Sequence, residues 1–298
     1  MQALSSEFRS WEFQFLWSIG LYEGEGPLAL RPAASVTNPM LTPASVTDIP
    51  AGFVADPFHV RAGDAFHLFF EVWNDRERRG EIACATSSDA RTWTYDRVVL
   101  REPFHLSYPC VMQVGDAFYM VPETRQAQSV RLYRADSFPH RWTFVRELLR
   151  GDFADATPFH HDGRWWMFAH RGLDELRLFS AATLDGTWSE HPASPVVAGN
   201  RSLSRPGGRV LAHDGRLIRF AQDGWPLYGT CVRALEIDLL TAGDYQEHEL
   251  PESPIIAATG DGWSSLGMHH VDFVQTQDSW LAIVDGYTAG DISLAPPA

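Results

Sequence analysis

The sequence contains no lysine, so arginine provides all 24 of its basic residues, against 38 aspartates and glutamates. The resulting net charge of −14 disfavours non-specific binding to nucleic acid or to an anionic membrane surface. No run of about 18 apolar residues is present, which excludes a membrane-spanning helix. The N-terminus also lacks the basic-then-apolar pattern of a secretory signal. These absences predict a soluble, cytoplasmic protein with no nucleic-acid partner and no membrane insertion.

Cysteine is also scarce. Cys84, Cys110 and Cys231 are far apart, odd in number and free of CxxC spacing. This arrangement indicates neither a disulfide framework nor a zinc site. Each cysteine lies in an apolar run typical of a strand, where a thiol is normally buried and unreactive.

One phrase occurs repeatedly in the sequence. It reads FVADPFHVRAGDAFHLFFE at 53–71, LSYPCVMQVGDAFYMVPE at 106–123 and FADATPFHHDGRWWMFAH at 153–170, with weaker copies at 202–222 and 267–285. Each copy is an apolar run, a turn signal and a second run rich in aromatic or apolar residues, which predicts a β-hairpin. After the first three copies a further strand-like run leads to a tryptophan, at Trp93, Trp142 and Trp188.

The spacing of the copies predicts the fold. Asp56, Tyr108, Asp155, Arg205 and His269 are equivalent positions, separated by 52, 47, 50 and 64 residues. A period of about 50 residues with four strands per unit is typical of a β-propeller blade. We therefore predict an all-β, five-bladed β-propeller.

The blades are expected to form a single domain over residues 1–298. They begin near residues 53, 106, 153, 202 and 267, and the last repeat is too short for a full blade. Because an unpaired sheet edge is unfavourable, the N-terminal run at about 11–23 is predicted to complete that blade.

In a propeller the first strand of every blade begins at one mouth of the central channel, and the second strand ends there. The second strands end in Glu71, Glu123, His170, Gln222 and Asp285. Together with the five equivalent positions above, they predict a funnel lined by carboxylates, imidazoles and a guanidinium, which favours a binding site. For any single residue, capping of a strand end or pairing with an arginine is an equally good explanation.

Two carboxylates facing one cavity are the groups that cleave or form glycosidic bonds. One stays ionised as base or nucleophile, and the other is held protonated to donate to the leaving oxygen. Aromatic residues near the mouth are candidates for stacking on sugar faces, with packing between blades as the alternative explanation; they are Trp17, Tyr108, Trp225 and Trp263.

The sequence also resembles a known family. The runs WSIGLYEGEGPLAL, FVADPFHV, FFEVWN, FHLSYPCV, YMVPET and RLYRADSFPHRWTF look like the N-terminal domain of the plant glucosamine inositolphosphorylceramide transferases, most densely over residues 17–170. That domain is similar to the five-bladed propellers of glycoside hydrolase families 43, 32, 62 and 117. The plant transferase activity is associated with a separate C-terminal domain, so the resemblance implies a fold and a carbohydrate ligand rather than one activity.

The family 43 pattern implies roles for some of these residues. Asp56 matches the base that opens blade one, and Asp155 matches the aspartate that tunes the acid and orients the sugar. A blade-five histidine matches His269 or His270. The general acid is normally a glutamate opening blade four, where this sequence has Arg205 instead. Its role would pass to another residue, with Glu123, His269, His270 and His170 as candidates.

Arg205 has a second interpretation, because a guanidinium grips phosphate or carboxylate bidentately and so marks a site for an anionic ligand.

The favoured hypothesis is a glycoside hydrolase or transglycosylase that acts on a furanoside or short glycan, with Asp56 as base or nucleophile. The alternative is a non-catalytic carbohydrate-binding propeller that assists a separate glycosyltransferase. The predicted catalytic residues are Asp56, Asp155, Glu123 and His269, and the predicted substrate-binding residues are Glu71, Tyr108, His170, Arg205, His270 and Asp285.

No cofactor or metal is predicted. The pairs His160–His161 and His269–His270 raise the alternative of a divalent ion on the propeller axis. Adjacent residues of a strand point to opposite faces, so neither pair is able to bind one ion through both rings.

Overall fold

The structure, a computed structural model, describes residues 15–276 and 279–290, which form five antiparallel sheets arranged as the blades of a propeller. The strands are, in chain order, β1 (Phe15–Gly24), β2 (Arg31–Pro32), β3 (Ala51–Ala62), β4 (Ala65–Asn74), β5 (Arg79–Ser87), β6 (Thr94–Leu100), β7 (Ser107–Val114), β8 (Ala117–Glu123), β9 (Ser129–Ser137), β10 (Arg141–Arg150), β11 (Phe153–His161), β12 (Arg164–Arg171), β13 (Glu175–Ala181), β14 (Ser189–Glu190), β15 (Arg205–Pro206), β16 (Leu211–His213), β17 (Arg216–Gln222), β18 (Cys231–Leu240), β19 (Tyr245–Glu249), β20 (Ile256–Ala257), β21 (Val271–Gln275) and β22 (Trp280–Ala289). Three 3₁₀ turns, at Pro43–Ser45, Arg125–Ala127 and Gly262–Ser264, complete the regular structure of these residues.

Blades one, two and three are β3–β6, β7–β10 and β11–β14, each a meander of four neighbouring strands. Blade four is built around β17 and β18. Its inner strand is split into β15 and β16, which both pair with β17. No α-helix occurs in the described part of the chain, and no helix there is long and apolar enough to cross a bilayer. The predicted all-β, five-bladed fold is confirmed.

The fifth blade joins the two ends of the chain. β22 pairs with β21 on one side and with β1 on the other, in register from Phe15↔Ala289 to Gly24↔Trp280. β2 then pairs with β1 as the outermost strand. The N-terminal segment therefore closes the last blade, as predicted, and supplies two strands where one was expected. Residues 11–14 of the predicted strand lie outside the described residues.

The inner strands of blades one to three share an unusual backbone geometry. Asp56, Tyr108 and Asp155 have positive φ angles of 53°, 44° and 49°. The register of each inner strand shifts by a bulge at that position. A bulge changes the direction of a side chain, and a left-handed conformation costs free energy in any residue other than glycine. In blades one to three, the positions that are equivalent in the sequence therefore also share one backbone conformation.

Apolar side chains fill the spaces between blades. The three repeated tryptophans are buried, and their indole N–H groups donate to the carbonyls of Ala90, Pro139 and Leu184 at 3.3, 2.8 and 3.0 Å. All three cysteines are buried and unpaired, and burial raises the pKa of each thiol, to about 12 for Cys110 and to about 11 for Cys231. The predicted burial of the thiols is confirmed.

Candidate active site in the central funnel

The predicted ring of strand starts converges on one mouth of the propeller. The backbone N–H of Asp56 donates to Asp285 Oδ2 at 2.9 Å, and Asp56 Oδ2 accepts the backbone N–H of Tyr108 at 3.2 Å. These bonds join blades five, one and two. Positions far apart in sequence are therefore neighbours at the funnel.

Asp56 is the carboxyl group at the centre of this network. Asp56 is 7% exposed, and its Oδ1 lies 3.6 Å from His269 Nε2. Burial raises the pKa of Asp56 to about 7, the neighbouring His269 opposes that rise, and the carboxylates of Asp285 and Asp155 add to it. Asp56 therefore exchanges its proton near neutral pH, which is where a general base is most effective.

His269 is held in place from behind by Asp285. The His269 ring Nδ1 lies 2.8 Å from Asp285 Oδ1, and the ring packs on Trp17 with centroids 4.1 Å apart. Burial alone would lower the pKa of His269, but the Asp285 carboxylate outweighs it and raises that pKa. The ring is thus oriented with Nε2 toward Asp56.

On the other side of the funnel, Arg205 joins two carboxyl groups. Its Nε lies 2.6 Å from Asp155 Oδ2, and its Nη2 lies 3.6 Å from Glu123 Oε2. Gln222 Nε2 also donates to Asp155 Oδ2 at 2.9 Å, and the guanidinium lies 5.0 Å from the Tyr228 ring centroid. Arg205 therefore forms an ion pair with Asp155, the residue to which the family 43 resemblance gives the role of orienting the sugar.

The two carboxyl groups beside Arg205 differ in protonation. Burial would raise the pKa of Asp155, but the Arg205 guanidinium overrides it and holds that pKa below its usual value. Burial, reinforced by the Asp155 carboxylate, holds the pKa of Glu123 well above its usual value. A shared proton therefore resides on Glu123 rather than on Asp155. Such a divergence of neighbouring groups is how acid and base roles are assigned.

His170 and Glu71 complete the rim. Both His170 ring nitrogens lie 3.2 Å from backbone carbonyls, those of Ser204 and Gly172, and burial followed by the charge of Arg205 lowers the His170 pKa to about 4. Glu71 Oε1 lies 3.5 Å from His105 Nε2, and His105 Nδ1 accepts the Gly80 N–H at 2.9 Å. The interpretation of the sequence missed His105, although it stands in FHLSYPCV, directly before the second inner strand.

Three of the predicted substrate-binding residues lie beneath the funnel surface. Tyr108 and Asp285 are fully buried, and His270 is 1% exposed. Tyr108 Oη lies 2.9 Å from Thr157 Oγ1 and accepts the N–H of Gly208 at 3.0 Å. Their burial indicates that these three residues hold neighbouring parts of the site in place. That they contact the substrate directly stays a prediction.

His270 is the one among them with unsatisfied polar atoms. Neither ring nitrogen has a hydrogen-bond partner within the described residues, and Nδ1 lies 4.0 Å from Asp56 Oδ1. Burial lowers the pKa of His270 to about 4, so the ring is neutral. The His270 ring packs against the rings of Phe58 and Tyr108, in both cases in a T-shaped arrangement.

A second polar cluster, also missed in the sequence, fills the axis below these rings. Fully buried Asp272 accepts Arg209 Nε at 2.5 Å and lies 2.6 Å from His59 Nδ1. Burial opposes ionisation of Asp272, but Arg209 and His59 hold its pKa well below the usual range. The Arg209 guanidinium also lies 5.5 Å from the Phe58 ring centroid. This cluster occupies the channel beyond the funnel.

Gly208 allows this close packing. Its φ is 142°, and a Cβ atom there would meet the Val271 carbonyl oxygen at 2.1 Å. Only glycine fits a backbone that approaches another strand so closely.

Among the described residues, one group of acidic and imidazole side chains is close enough to hold a metal ion, namely Asp56, His269 and Asp285. Both Asp285 oxygens are already occupied by three backbone N–H groups and the His269 ring. That leaves Asp56 and His269 as available ligands, fewer than the three or four that a zinc site uses.

The predicted aromatic platforms fall into two groups. Trp17 is buried against His269 and Tyr287, and Trp263 is partly buried against Gly20. Trp225, in the connection between β17 and β18, is 61% exposed. Of the three tryptophans, Trp225 is the one whose ring is open to a ligand.

Comparison with known proteins places this geometry in a family. The profile of the family described as "Glucosamine inositolphosphorylceramide transferase 1, N-terminal" matches residues 12–287. The chain is 34% identical over 303 residues to glucosamine inositolphosphorylceramide transferase 1 of Arabidopsis thaliana, a match that covers 93% of this chain and 40% of that protein. It is 36% identical over 295 residues to the protein of the same name from Oryza sativa subsp. japonica, covering 91% and 40%. The chain thus spans well under half the length of these relatives.

Solved structures share the architecture. The catalytic domain of the Coprinopsis cinerea family 62 α-L-arabinofuranosidase superposes with a TM-score of 0.60 at 12% identity, covering 91% of this chain and 98% of that one. The likeness confirms a propeller of the glycoside hydrolase type and does not extend to activity. By the match over 12–287 and the identity to both plant proteins, the chain belongs to the family of the glucosamine inositolphosphorylceramide transferase N-terminal domain.

Proposed function

We propose that the funnel cleaves or transfers a glycosidic bond of a furanoside or short glycan, with Glu123 as general acid and Asp56 as base. The observation that supports it is the opposite direction of the pKa shifts in the funnel: burial holds the pKa of Glu123 well above its usual value, Arg205 holds the pKa of Asp155 below its usual value, and the pKa of Asp56 is about 7. This reaction requires one carboxyl group that donates a proton and one carboxylate that accepts a proton.

Glu123 takes the place of the acid that is absent from the start of blade four. Its side chain is 10% exposed and lies at the end of β8, on the same mouth as Asp56. The proton on its carboxyl group passes to the glycosidic oxygen as the bond to the anomeric carbon breaks. Glu123 is then left as a carboxylate, which Arg205 stabilises at 3.6 Å.

Asp56 acts on the attacking hydroxyl. As a carboxylate it accepts the proton of water in hydrolysis, or of an acceptor sugar in transfer, while the oxygen bonds to the anomeric carbon. His269, oriented by Asp285, lies 3.6 Å from Asp56 Oδ1 and stabilises the ionised form. Asp155 and Arg205 form a fixed ion pair that serves to orient sugar hydroxyl groups.

The test is turnover of a panel of furanosides and short glycans, with and without an acceptor sugar, read by mass spectrometry. The wild type should form product, and Asp56→Asn and Glu123→Gln should each lose at least about a hundredfold in rate. Asp116→Asn, in the exposed β7–β8 turn at the opposite end of the blade, is the matched control and should keep full activity. Equal rates in the wild type and Asp56→Asn would refute the assignment.

A second candidate function is recognition of a glycan without turnover, in support of a separate glycosyltransferase. The observation that favours it is Arg205 itself, which stands where the hydrolases carry an acid and neutralises Asp155 at 2.6 Å. Binding on a glycan array without any product from the bound sugar would favour this function. Product from any arrayed glycan would exclude it.

A further inference from the structure

His105 lies between blades one and two at the funnel mouth. It belongs to the connection between β6, the outermost strand of blade one, and β7, the inner strand of blade two. Its backbone N–H donates to Gln126 Oε1 of blade two at 2.7 Å. The next residue, Leu106, donates its N–H to the Gly80 carbonyl of blade one at 3.1 Å. Both blades therefore fix the backbone around His105.

The imidazole ring of His105 has one fixed hydrogen-bonding pattern. Nδ1 accepts the Gly80 N–H at 2.9 Å, so the proton of the neutral ring is on Nε2. Burial, followed by the charge of Arg205, lowers the pKa of His105 to about 4, and the ring is therefore neutral at pH 7. Nε2 thus presents a single N–H donor whose direction is set by the bond on the other side of the ring.

Glu71, close to the end of β4, faces this donor. Its Oε1 lies 3.5 Å from His105 Nε2, farther than the usual N–H···O distance of about 2.7–3.2 Å. Gly80 leaves room for both side chains, since a Cβ atom there would meet Glu71 Oε1 at 2.6 Å and His105 Cε1 at 2.7 Å. A donor and an acceptor therefore stand side by side, and we call His105 Nε2 and Glu71 Oε1 the mouth pair.

The mouth pair belongs to the same funnel as the proposed acid. The charges of Arg205 and Asp155 act in opposite directions on the pKa of His105, which places the ring within their electrostatic field. The His105 side chain is 29% exposed, so its ring is within reach of a ligand, and the Trp73 ring lies beside it with centroids 6.0 Å apart. The pair therefore forms the wall of the funnel on the side of blades one and two.

The spacing of the mouth pair selects the chemistry of its ligand. A sugar hydroxyl both donates and accepts hydrogen bonds. A single hydroxyl bonded to both atoms would hold them at an angle of about 77° at its own oxygen, well below the tetrahedral angle. Two hydroxyls on adjacent carbons fit without this bending, because one accepts from His105 Nε2 while its neighbour donates to Glu71 Oε1. A carboxyl oxygen accepts more than one hydrogen bond, so other contacts of Glu71 are compatible with this role.

We propose that His105 Nε2 and Glu71 Oε1 bind a vicinal diol of the sugar, which makes His105 a residue that determines specificity. The inference deepens the proposed function and rests on it in one respect, that a sugar occupies the funnel. A sugar without one of the two hydroxyls leaves a polar atom of the pair unpaired, and unpaired polar groups are how binding sites reject deoxy analogues.

The test is NMR titration of the protein with methyl β-D-ribofuranoside and methyl α-L-arabinofuranoside, each paired with its 2-deoxy analogue, which lacks the diol. The wild type should bind at least one furanoside about tenfold more tightly than its deoxy analogue. His105→Asn should abolish this preference, because asparagine keeps an acceptor for the Gly80 N–H but has no donor at the position of Nε2. His105→Gln, whose amide reaches that position, should retain part of it.

His161→Asn is the matched control, since this partly exposed histidine lies at the opposite end of blade three, and it should keep the preference of the wild type. Melting curves establish that each variant is folded. If His105→Asn is not, Glu71→Gln replaces it and should lower the same preference, since an amide oxygen accepts more weakly than a carboxylate oxygen.

Three results would overturn the proposal: binding of neither furanoside, equal affinity for each furanoside and its deoxy analogue, or a wild-type preference in His105→Asn. Turnover plays no part in this measurement. A diol preference that depends on His105 in a protein that turns over no glycan would therefore refute the proposed chemistry and support the mouth pair. Turnover in a protein without a diol preference would do the reverse.

Discussion

Asp56→Asn should stabilise the folded protein above pH 7, even though it removes the proposed base. The pKa of Asp56 is raised from its usual 3.8 to about 7, mainly because the carboxyl group is buried. A native state with the higher pKa binds the proton more readily than the unfolded chain, so stability falls as the pH rises from about 4 to about 7. At 1.36 kcal/mol per pKa unit, the carboxylate costs about 4 kcal/mol above pH 7.

Asparagine avoids this cost because it does not ionise, and its carbonyl oxygen is able to accept the Tyr108 N–H that Asp56 now accepts at 3.2 Å. The attraction to His269, 3.6 Å away, is already contained in that pKa, so about 4 kcal/mol is the upper limit of the gain. We expect the variant to be about 2–4 kcal/mol more stable than the wild type at pH 8 and nearly equal to it at pH 4.

The assay is urea unfolding of both proteins at pH 4, 6 and 8, with the difference in unfolding free energy plotted against pH. Asp64→Asn, in the exposed turn of the same hairpin, is the control and should show no pH-dependent difference. A destabilisation by Asp56→Asn that is the same at pH 4 and pH 8 would refute the reasoning, because it would show that Asp56 is an ordinary structural carboxylate.

Three further predictions concern the groups around this carboxyl. Glu123→Gln should keep the fold and the bound glycan while lowering the rate, measured by calorimetric titration and by product formation; loss of binding as well would contradict a purely acidic role. Asp285→Asn should lower the pKa of His269, because that carboxylate now opposes the effect of burial, and histidine NMR titration would show it; an unchanged titration would contradict the assignment. Tyr108→Phe leaves the buried N–H of Gly208 without its acceptor at 3.0 Å and should cost about 1–3 kcal/mol in urea unfolding, and an unchanged stability would contradict that.

The sequence period predicts the fold well because each blade buries its faces in the same way. Positions such as Asp56 and Asp155 are equivalent in the sequence, and they also share a bulge and a positive φ in the structure. The short final repeat likewise predicts the pairing of β1 with β22, since β22 would otherwise be left with an unpaired outer edge. The second N-terminal strand, β2, has no such signal, because two paired residues produce no periodic pattern.

The protonation of the site is beyond the reach of the sequence. Glu123 and Asp155 are both acids at strand ends, and they differ because Arg205 lies 2.6 Å from one and 3.6 Å from the other. The ion pair of Asp272 and Arg209 is likewise not visible in the sequence. The two residues are 63 positions apart, and only the closed ring of blades brings their side chains to 2.5 Å.

The central claim is that Glu123 is a neutral acid beside an ionised Asp155, and ¹³C NMR of the labelled carboxyl groups tests it most directly, with Glu123→Gln and Asp155→Asn for assignment. The account predicts a Glu123 carboxyl signal at its protonated position at pH 7 and an Asp155 signal that stays ionised below pH 4. A Glu123 signal that titrates near 4.5, as a glutamate in water does, would contradict it.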